Sequence, residues 1–213
     1  MFITLEGIEG SGKSTQIAAI ARWLKEAGYD CLTTREPGGT SIGGQIRSVL
    51  LNPANDDMAS GTELLLYVAD RVQHLETVVR PALAAGKVVV CDRYFDATMV
   101  YQGYARGLDK KMILRLHELA CGGLTPDLTL LLDLAPEEGL ARAWRRIASD
   151  DAHAAESRFE KEKLAFHRRV REGYLDLVRK QPQRFAIIDA NADVAAVSRQ
   201  IEAALNVVLS FKC

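Results

Sequence analysis

Apolar and polar positions follow two different periods along the chain. Five short, nearly continuous apolar runs indicate buried strands: FITLE, YDCLTT, KVVVC, LTLLLDL and RFAIID. The stretches between them carry apolar residues at helical spacing, as in IAAIARWLKEAG. Apolar strands that alternate with crossover helices predict an α/β fold, in which a five-stranded parallel sheet has helices on both faces.

Polar segments follow the predicted strands, after Glu6, after Thr34 and after Cys91, and another lies beyond the helix that follows Leu134. Ligands of parallel α/β sheets bind at the carboxyl ends of the strands, so we expect the functional site there. One polar, small-residue segment, SDDAHAAES at 149–157, separates the basic stretch LARAWRRIA from the charged stretch RFEKEKLAFHRRVREGYLDLVRK. Both stretches are predicted helices, and the segment between them is predicted to be the tip of a flap.

The composition narrows the possible classes of protein. With 213 residues, 48% of them hydrophobic and 26% charged, the chain is typical of one globular domain spanning 1–213. Its 27 basic and 28 acidic side chains nearly cancel, so no overall positive field favours nucleic acid. No apolar stretch approaches the roughly 18 residues of a membrane span.

Four cysteines lie far apart in the sequence and form neither a CxxC pair nor a Cys/His cluster. They are Cys31, Cys91, Cys121 and Cys213. Such spacing indicates neither a zinc site nor a disulfide framework. We therefore expect a cytoplasmic protein whose partners include neither nucleic acid nor membrane.

The first predicted strand runs into Gly7-Ile8-Glu9-Gly10-Ser11-Gly12-Lys13-Ser14, which matches the pattern GxxxxGK[ST]. We call residues 7–14 the phosphate loop. Glycines let backbone N–H groups turn toward an anion, the lysine reaches the terminal phosphates, and the hydroxyl can ligate magnesium. The predicted ATP-binding residues are Gly7, Ile8, Glu9, Gly10, Ser11, Gly12, Lys13, Ser14 and Thr15.

Four further motifs follow in order: REPGGT at 35–40, ADRVQH at 69–74, DRY at 92–94 and YQG at 101–103. Together with the phosphate loop they resemble the thymidylate kinase family, from Phe2 to about Asp189. The resemblance implies one nucleoside monophosphate kinase domain of the P-loop NTPase class, with a small helical lid at about 142–160. It also implies transfer of the ATP γ-phosphate to dTMP, with magnesium, in dTTP synthesis, by a homodimer.

Several charged and polar side chains are of the types that this reaction requires. Arg93 can form a bidentate pair with the acceptor phosphate, and Arg47 can hold it from the other side. Asp92 is placed to order the water shell of magnesium, together with Ser14. We predict that Lys13, Asp92 and Arg93 are catalytic.

The dTMP site is expected to use aromatic, amide and charged groups. The predicted contacts are Glu9, Glu36, Pro37, Arg47, Tyr67, Arg71, Arg93, Thr98, Tyr101 and Gln102. Arg71 can donate to a thymine carbonyl, and in the family the tyrosine of YQG crowds a 2′-hydroxyl. Tyr67 and Tyr101 could instead be ordinary core residues. Likewise, Glu9 reaches toward the acceptor's 3′-hydroxyl or a magnesium water in the family, but could be a solvated loop carboxylate.

Phosphoryl transfer needs positive charge on the migrating group, and the phosphate loop supplies only Lys13. Arg142, Arg145 and Arg146 precede the flap, and this pattern resembles the bacterial subgroup with a catalytic lid arginine. At least one of the three is expected to be a solvated charge instead. The sequence does not single out the catalytic one.

Two other functions compete with dTMP phosphorylation. One is a kinase for dUMP, dCMP or a broader set of nucleoside monophosphates. The other is a nucleotide-binding regulatory or scaffolding protein without transfer chemistry. The presence of Lys13, Ser14, Asp92 and Arg93 together argues against the second.

Overall fold

The computed structural model describes residues 1–149 and 154–210. Within those residues five parallel strands form one sheet in the order β2–β3–β1–β4–β5. The strands are Phe2–Glu6 (β1), Cys31–Arg35 (β2), Val88–Asp92 (β3), Leu128–Asp133 (β4) and Phe185–Asp189 (β5). The predicted five-stranded parallel sheet is confirmed, and the second strand begins two residues later than the pattern YDCLTT indicates.

Helices surround the sheet. Their bounds are Lys13–Glu26 (α1), Ser41–Leu51 (α2), Ser60–His74 (α3), Arg80–Ala84 (α4), Phe95–Thr98 (α5), Lys110–Cys121 (α6), Pro136–Ile147 (α7), Leu164–Lys180 (α8) and Val194–Ser210 (α9). Wider π-helical turns, Leu75–Val79 and Met99–Ala105, continue α3 and α5. A short 3-10 turn, Pro182–Arg184, precedes β5. None of the helices within the described ranges is long and apolar enough to cross a membrane.

The core lies around the three central strands. All five residues of β1 are buried, and so are the first four of β3 and the first five of β4. Because successive side chains of a strand point to opposite faces, continuous burial means that helices cover both faces of these strands. The parallel register pairs Leu5 and Arg35 with Asp92, and Glu6 with Leu131. Polar strand ends are thereby brought to one edge of the sheet.

Helix α1 starts directly at the phosphate loop. Its N-cap is Gly12, with φ of 92°, and no side chain caps the first turn, so backbone N–H groups remain for an anion. A Cβ on Gly10 would lie 2.0 Å from the carbonyl oxygen of Gly139 in α7. The loop therefore packs backbone to backbone against the helix that carries the predicted lid arginines.

The helix after the flap begins at Leu164, so the expectation that it starts at Arg158 is wrong. Arg158 is instead tied to other parts of the fold. Its backbone N–H donates to Leu51 at 3.2 Å, and its guanidinium donates to the Leu50 carbonyl and to Glu63. These tertiary contacts outweigh the helical pattern. Positions 150–153 of the predicted flap tip lie outside the described residues.

Candidate active site

A cleft of about 410 Å³ lies over the carboxyl ends of the strands. Most of the predicted site residues line it. They are residues 9–15 of the phosphate loop and helix α1, with Glu36, Pro37, Arg47, Tyr67, Arg71, Asp92, Arg93, Thr98, Tyr101, Gln102 and Arg146. Parallel register and loop packing thus bring together residues that are up to 137 positions apart (146 − 9).

Lys13 is held over the phosphate loop by the loop's own backbone. Its Nζ donates to the carbonyls of Gly7 at 3.1 Å and Ile8 at 3.0 Å. Burial, together with the nearby Arg93, lowers the pKa of Lys13 to about 8. The carbonyl groups of Gly7 and Ile8 therefore orient the Lys13 side chain.

Arg93 has the left-handed backbone conformation that non-glycine residues rarely adopt, with φ of 65°. Strain of this kind is concentrated at functional sites. Its Nη2 donates to Glu9 at 3.0 Å and its Nη1 to the Tyr174 hydroxyl at 3.2 Å. Tyr174 in turn donates to Glu6 at 2.6 Å. The guanidinium is thus fixed from two sides at the end of β3.

Glu9 joins the phosphate loop to the opposite wall of the cleft. Besides Arg93, it accepts from the Tyr101 hydroxyl at 2.5 Å and contacts His167 Nδ1 of α8 at 3.2 Å. Burial alone would raise the pKa of Glu9, but the His167 hydrogen bond and the Arg93 charge hold it well below its usual range. With only 10% of its side chain exposed, Glu9 is a largely buried, ionised acid and not a solvated loop carboxylate.

Arg71 is held in one orientation by three acceptors. Its Nε donates to Glu36 at 2.8 Å, and its Nη2 donates to Thr98 at 2.7 Å and to the Tyr94 carbonyl at 3.3 Å. Tyr67 lies one turn earlier on α3, as the sequence predicts. Nη1 of Arg71 has no partner among residues 1–149 and 154–210, so it remains available to a ligand in the cleft.

Arg47 already binds a carboxylate across the cleft. Its Nε and Nη2 donate to the two oxygens of Glu156 at 2.9 and 2.7 Å, and its Nη1 donates to the Pro37 carbonyl. This two-pronged pairing is the geometry in which a guanidinium also binds a phosphate. Arg47 is therefore oriented to bind an oxyanion.

The three lid arginines have different surroundings. Arg146 lines the cleft, with its side chain 46% exposed and Nη2 3.8 Å from Glu160. Arg142 donates to Glu138 at 2.8 Å and to the Ala190 carbonyl at 3.0 Å. Neither Arg142 nor Arg145 is among the described residues that line the cleft. The geometry separates Arg146 from the other two.

Asp92 is the last residue of β3 and lines the cleft. Its Oδ1 is buried and has no hydrogen-bond partner among the described residues. A buried carboxylate oxygen without a partner is costly, unless a ligand or ion completes it. No group of three or more His, Cys, Asp or Glu side chains that could hold a metal ion occurs within the described ranges.

A family model described as thymidylate kinase matches residues 5–201. The chain belongs to the thymidylate kinase family. It is 58% identical over 205 residues to a thymidylate kinase of Desulfosudis oleivorans, covering 96% of each chain. It is 55% identical to a thymidylate kinase of Oleidesulfovibrio alaskensis, covering 96% of this chain and 97% of that one. The crystal structure of thymidylate kinase from Ehrlichia chaffeensis superposes with a TM-score of 0.77 at 32% identity, covering 97% of this chain and 98% of that one.

In this thymidylate kinase family member, four residues contact predicted site residues but were not themselves predicted from the sequence: Glu63, Glu156, His167 and Tyr174. Each acts by holding a predicted residue and belongs to no short motif. Glu63 directly precedes an apolar run in α3, and His167 lies in a strongly charged helix, so both resemble ordinary helix surface in sequence. Only the fold shows that Glu63 and His167 are buried.

Proposed function

We propose that the protein transfers the γ-phosphoryl group of ATP to dTMP, producing ADP and dTDP. One observation carries the proposal. A phosphate loop with Lys13 and an arginine pair, Arg93 and Arg47, line one cleft, and Glu9 of the loop is bonded to Arg93 of the pair. A loop that can bind the phosphates of ATP thus directly contacts an arginine pair that can bind a second phosphate. This arrangement suits phosphoryl transfer between the two ligands. Membership in the thymidylate kinase family and the names of its relatives support dTMP as the acceptor.

In this proposal the chain's own side chains position and neutralise the phosphates. Lys13 and the N-terminus of α1 bind the β- and γ-phosphates of ATP. Arg93 and Arg47 bind the phosphate of dTMP and aim one of its oxygens at the γ-phosphorus. Phosphoryl transfer demands little covalent help from the protein, so alignment and charge supply most of the rate enhancement.

Magnesium is part of the proposal, because the residues present fit it. Asp92 Oδ1 is buried and has no partner within the part of the chain that the structure describes, and Ser14 carries a hydroxyl at the start of α1 in the same cleft. Asp92, through water, and Ser14 would hold the ion against the triphosphate oxygens. When bound, magnesium offsets charge that develops on the phosphates.

A substrate panel tests the proposed function against its two rivals. ADP release is measured with ATP, magnesium and each of dTMP, dUMP, dCMP, dGMP and dAMP. We expect the highest kcat/KM with dTMP. Comparable values for several acceptors would instead identify a broader nucleoside monophosphate kinase. Absence of ADP release with every acceptor would support a binding protein without transfer chemistry.

Tyr101 is proposed to exclude ribonucleotides. The residue is 5% exposed, its ring packs edge-on against Phe159 and Tyr174, and its hydroxyl donates to Glu9. A ring fixed in this way cannot move aside for a 2′-hydroxyl. We expect Tyr101→Phe to keep the preference for dTMP over ribothymidine monophosphate, and Tyr101→Ala to reduce it about tenfold or more. The ratio of kcat/KM for the two acceptors measures this effect, and an unchanged ratio in the alanine variant contradicts it.

A homodimer is proposed through α3 and α6, which contact each other and expose large apolar side chains. Leu65 is 59% exposed, Met112 43% and Leu119 68%. Exposed apolar side chains on two neighbouring helices favour a protein interface. We expect sedimentation velocity to show a dimer, and Leu65→Lys to shift the protein toward monomer. Expected controls are unchanged far-UV circular dichroism and unchanged sedimentation for Lys25→Ala, which lies on α1. A monomeric wild type would exclude the proposed interface.

We place the protein in the cytoplasm. Cys31, Cys91 and Cys121 are free thiols, and Cys213 lies outside the described residues. Unpaired cysteines suit a reducing compartment. The substrates of the proposed reaction, ATP and dTMP, are consistent with that compartment.

A further inference from the structure

Gln102 lines the cleft beside the predicted base-binding residues, and its side-chain amide is held in one orientation. An amide offers donors from one end and an acceptor from the other, so its orientation decides which base edge it can bind. Gln102 Nε2 donates to Glu63 Oε1 at 2.8 Å. Gln102 is only 1% exposed, so its amide cannot exchange this contact freely with bulk water.

Glu63 is a buried carboxylate surrounded by donors. Its side chain is 1% exposed, and it accepts from Arg158 at 2.5 Å and from Arg106 at 3.3 Å. Although burial would raise the pKa of Glu63, the Gln102 hydrogen bond, the Arg106 charge and the Arg158 hydrogen bond lower it overall. Glu63 is therefore ionised near neutral pH.

An ionised carboxylate can only accept hydrogen bonds. If the Gln102 amide flipped, its oxygen would face Glu63 Oε1 at 2.8 Å with no hydrogen between them. That arrangement loses a charge-assisted hydrogen bond and adds repulsion in a buried place. Glu63 thereby fixes Gln102 with its nitrogen toward α3 and leaves its oxygen, an acceptor, for the ligand.

We propose that Glu63 is a positioning residue that sets base specificity, by making Gln102 an acceptor for the N3–H group of the acceptor's pyrimidine. This inference rests on the proposed function. The other half of the recognition is Arg71, whose Nη1 has no partner within the described residues and can donate to the neighbouring base carbonyl. Acceptor and donor together complement the N3–H and O4 of thymine or uracil.

Cytosine presents the opposite pattern, because its N3 is an acceptor and its exocyclic N4 is a donor. Both contacts would be mismatched, and each would leave a buried polar group unpaired. Sites built around such hydrogen bonds reject the mismatched analogue strongly. We expect wild-type kcat/KM for dTMP to exceed that for dCMP by at least about a hundredfold. Uracil has the same N3–H and O4 groups as thymine, so a comparison of dUMP with dTMP measures only the effect of the missing methyl group.

Glu63→Gln is the decisive variant. Nη2 of Arg158 and Nη2 of Arg106 both donate to Glu63 Oε2, so this position keeps the oxygen of the new amide. The NH₂ group then replaces Oε1 toward Gln102, and only the 3.3 Å contact from Arg106 Nε is lost. Gln102 would then turn its own oxygen to that NH₂ and offer a donor to the base. We expect the dTMP/dCMP ratio of kcat/KM to fall at least about tenfold, and the dTMP/dUMP ratio to stay within about twofold.

Glu162→Gln is the matched control. Glu162 is the other carboxylate partner of Arg106, at 2.5 Å, and has no recorded contact with Gln102 in the described part of the chain. This variant removes an equivalent negative charge from Arg106, and both substrate ratios are expected to stay at wild-type values. An equal fall of the dTMP/dCMP ratio in Glu162→Gln would show that general disturbance around Arg106, and not the Gln102 amide, is responsible.

Thermal melting establishes which variants are folded. If Glu63→Gln is unfolded, Glu63→Asp replaces it, because it keeps the charge for both arginines and withdraws the acceptor from Gln102 by one methylene. A folded variant whose dTMP/dCMP ratio equals that of wild type overturns the inference. So does a wild type that uses dTMP and dCMP equally well, which leaves the kinase activity itself intact. Inactivity of wild type on dTMP would refute the proposed function instead.

Discussion

Replacing Lys13 or Arg93 with alanine is expected to lower kcat/KM for dTMP at least about a hundredfold while the fold is retained. Both charges lie in the cleft and are aimed by fixed partners, Lys13 by the carbonyls of Gly7 and Ile8, and Arg93 by Glu9. Loss of a preoriented charge from such a site costs on the order of 3 kcal/mol of transition-state stabilisation, which corresponds to about a hundredfold in rate. Steady-state kinetics with saturating ATP and varied dTMP measure the effect.

Each variant has a control that removes a similar group elsewhere. Arg171→Ala breaks a two-pronged pair with Asp133 at 2.7 and 2.8 Å, and Lys25→Ala removes an exposed charge from the end of α1. Neither Arg171 nor Lys25 is among the described residues that line the cleft, so we expect both variants to remain close to wild-type activity. Near wild-type turnover in a folded Arg93→Ala protein would refute its contact with the acceptor phosphate.

The fold could be predicted from the sequence because its signals are local. Each strand is a short apolar run, and only six residues of the phosphate loop, 7–12, separate β1 from α1. Helix α3 carries Tyr67 and Arg71 one turn apart, as spacing alone requires. The hydrophobic period and the placement of glycines depend only on residues that are close in sequence. Both can therefore be recognised without knowledge of the tertiary contacts.

The supporting contacts could not be predicted, because they join residues that are distant in sequence. Glu9 meets Arg93 84 positions away and His167 158 positions away. Glu63 meets Gln102 39 positions away. Acidic residues in a helix usually lie on its solvated face, so burial of Glu63 is visible only once three donors are seen to converge on it. The sequence identifies groups that can bind a substrate, but not the groups that aim them.

The start of α8 illustrates the same limit for secondary structure. The pattern from Arg158 onward is helical in composition, yet the chain stays non-helical until Leu164. Arg158 instead donates to Glu63 and to the Leu50 carbonyl. One buried ion pair and its backbone bonds therefore override the local helical preference over about one and a half turns.

Among the lid arginines, Arg146→Ala is expected to lower kcat at least about a hundredfold with little change in dTMP affinity. The phosphate loop carries an ionised Glu9 and one cation, Lys13, so further positive charge on the migrating phosphoryl group must come from elsewhere. Arg146 lines the cleft, and its contact with Glu160 is long, at 3.8 Å. Such a weakly held, half-exposed guanidinium can reorient toward a bound triphosphate at small energetic cost.

The effect should fall on kcat, because the migrating group carries its greatest charge on the equatorial oxygens only during transfer. An arginine that meets this charge contributes little to binding dTMP in the ground state, so the Kd from equilibrium titration should change by less than about threefold. Arg142→Ala and Arg145→Ala are matched controls in the same helix. Arg142 is bonded to Glu138 and the Ala190 carbonyl, and neither residue lines the cleft within the described part of the chain.

The three variants together locate the catalytic charge. A strong fall of kcat in Arg146→Ala alone assigns the role to Arg146, whereas a fall in Arg142→Ala or Arg145→Ala would require the lid to rearrange beyond the contacts seen here. If all three variants keep kcat within a factor of about three, which is well under 1 kcal/mol, no lid arginine supplies the charge. Lys13 and magnesium would then have to neutralise the transferring group beside Glu9, and chelation of magnesium should abolish turnover in wild type and variants alike.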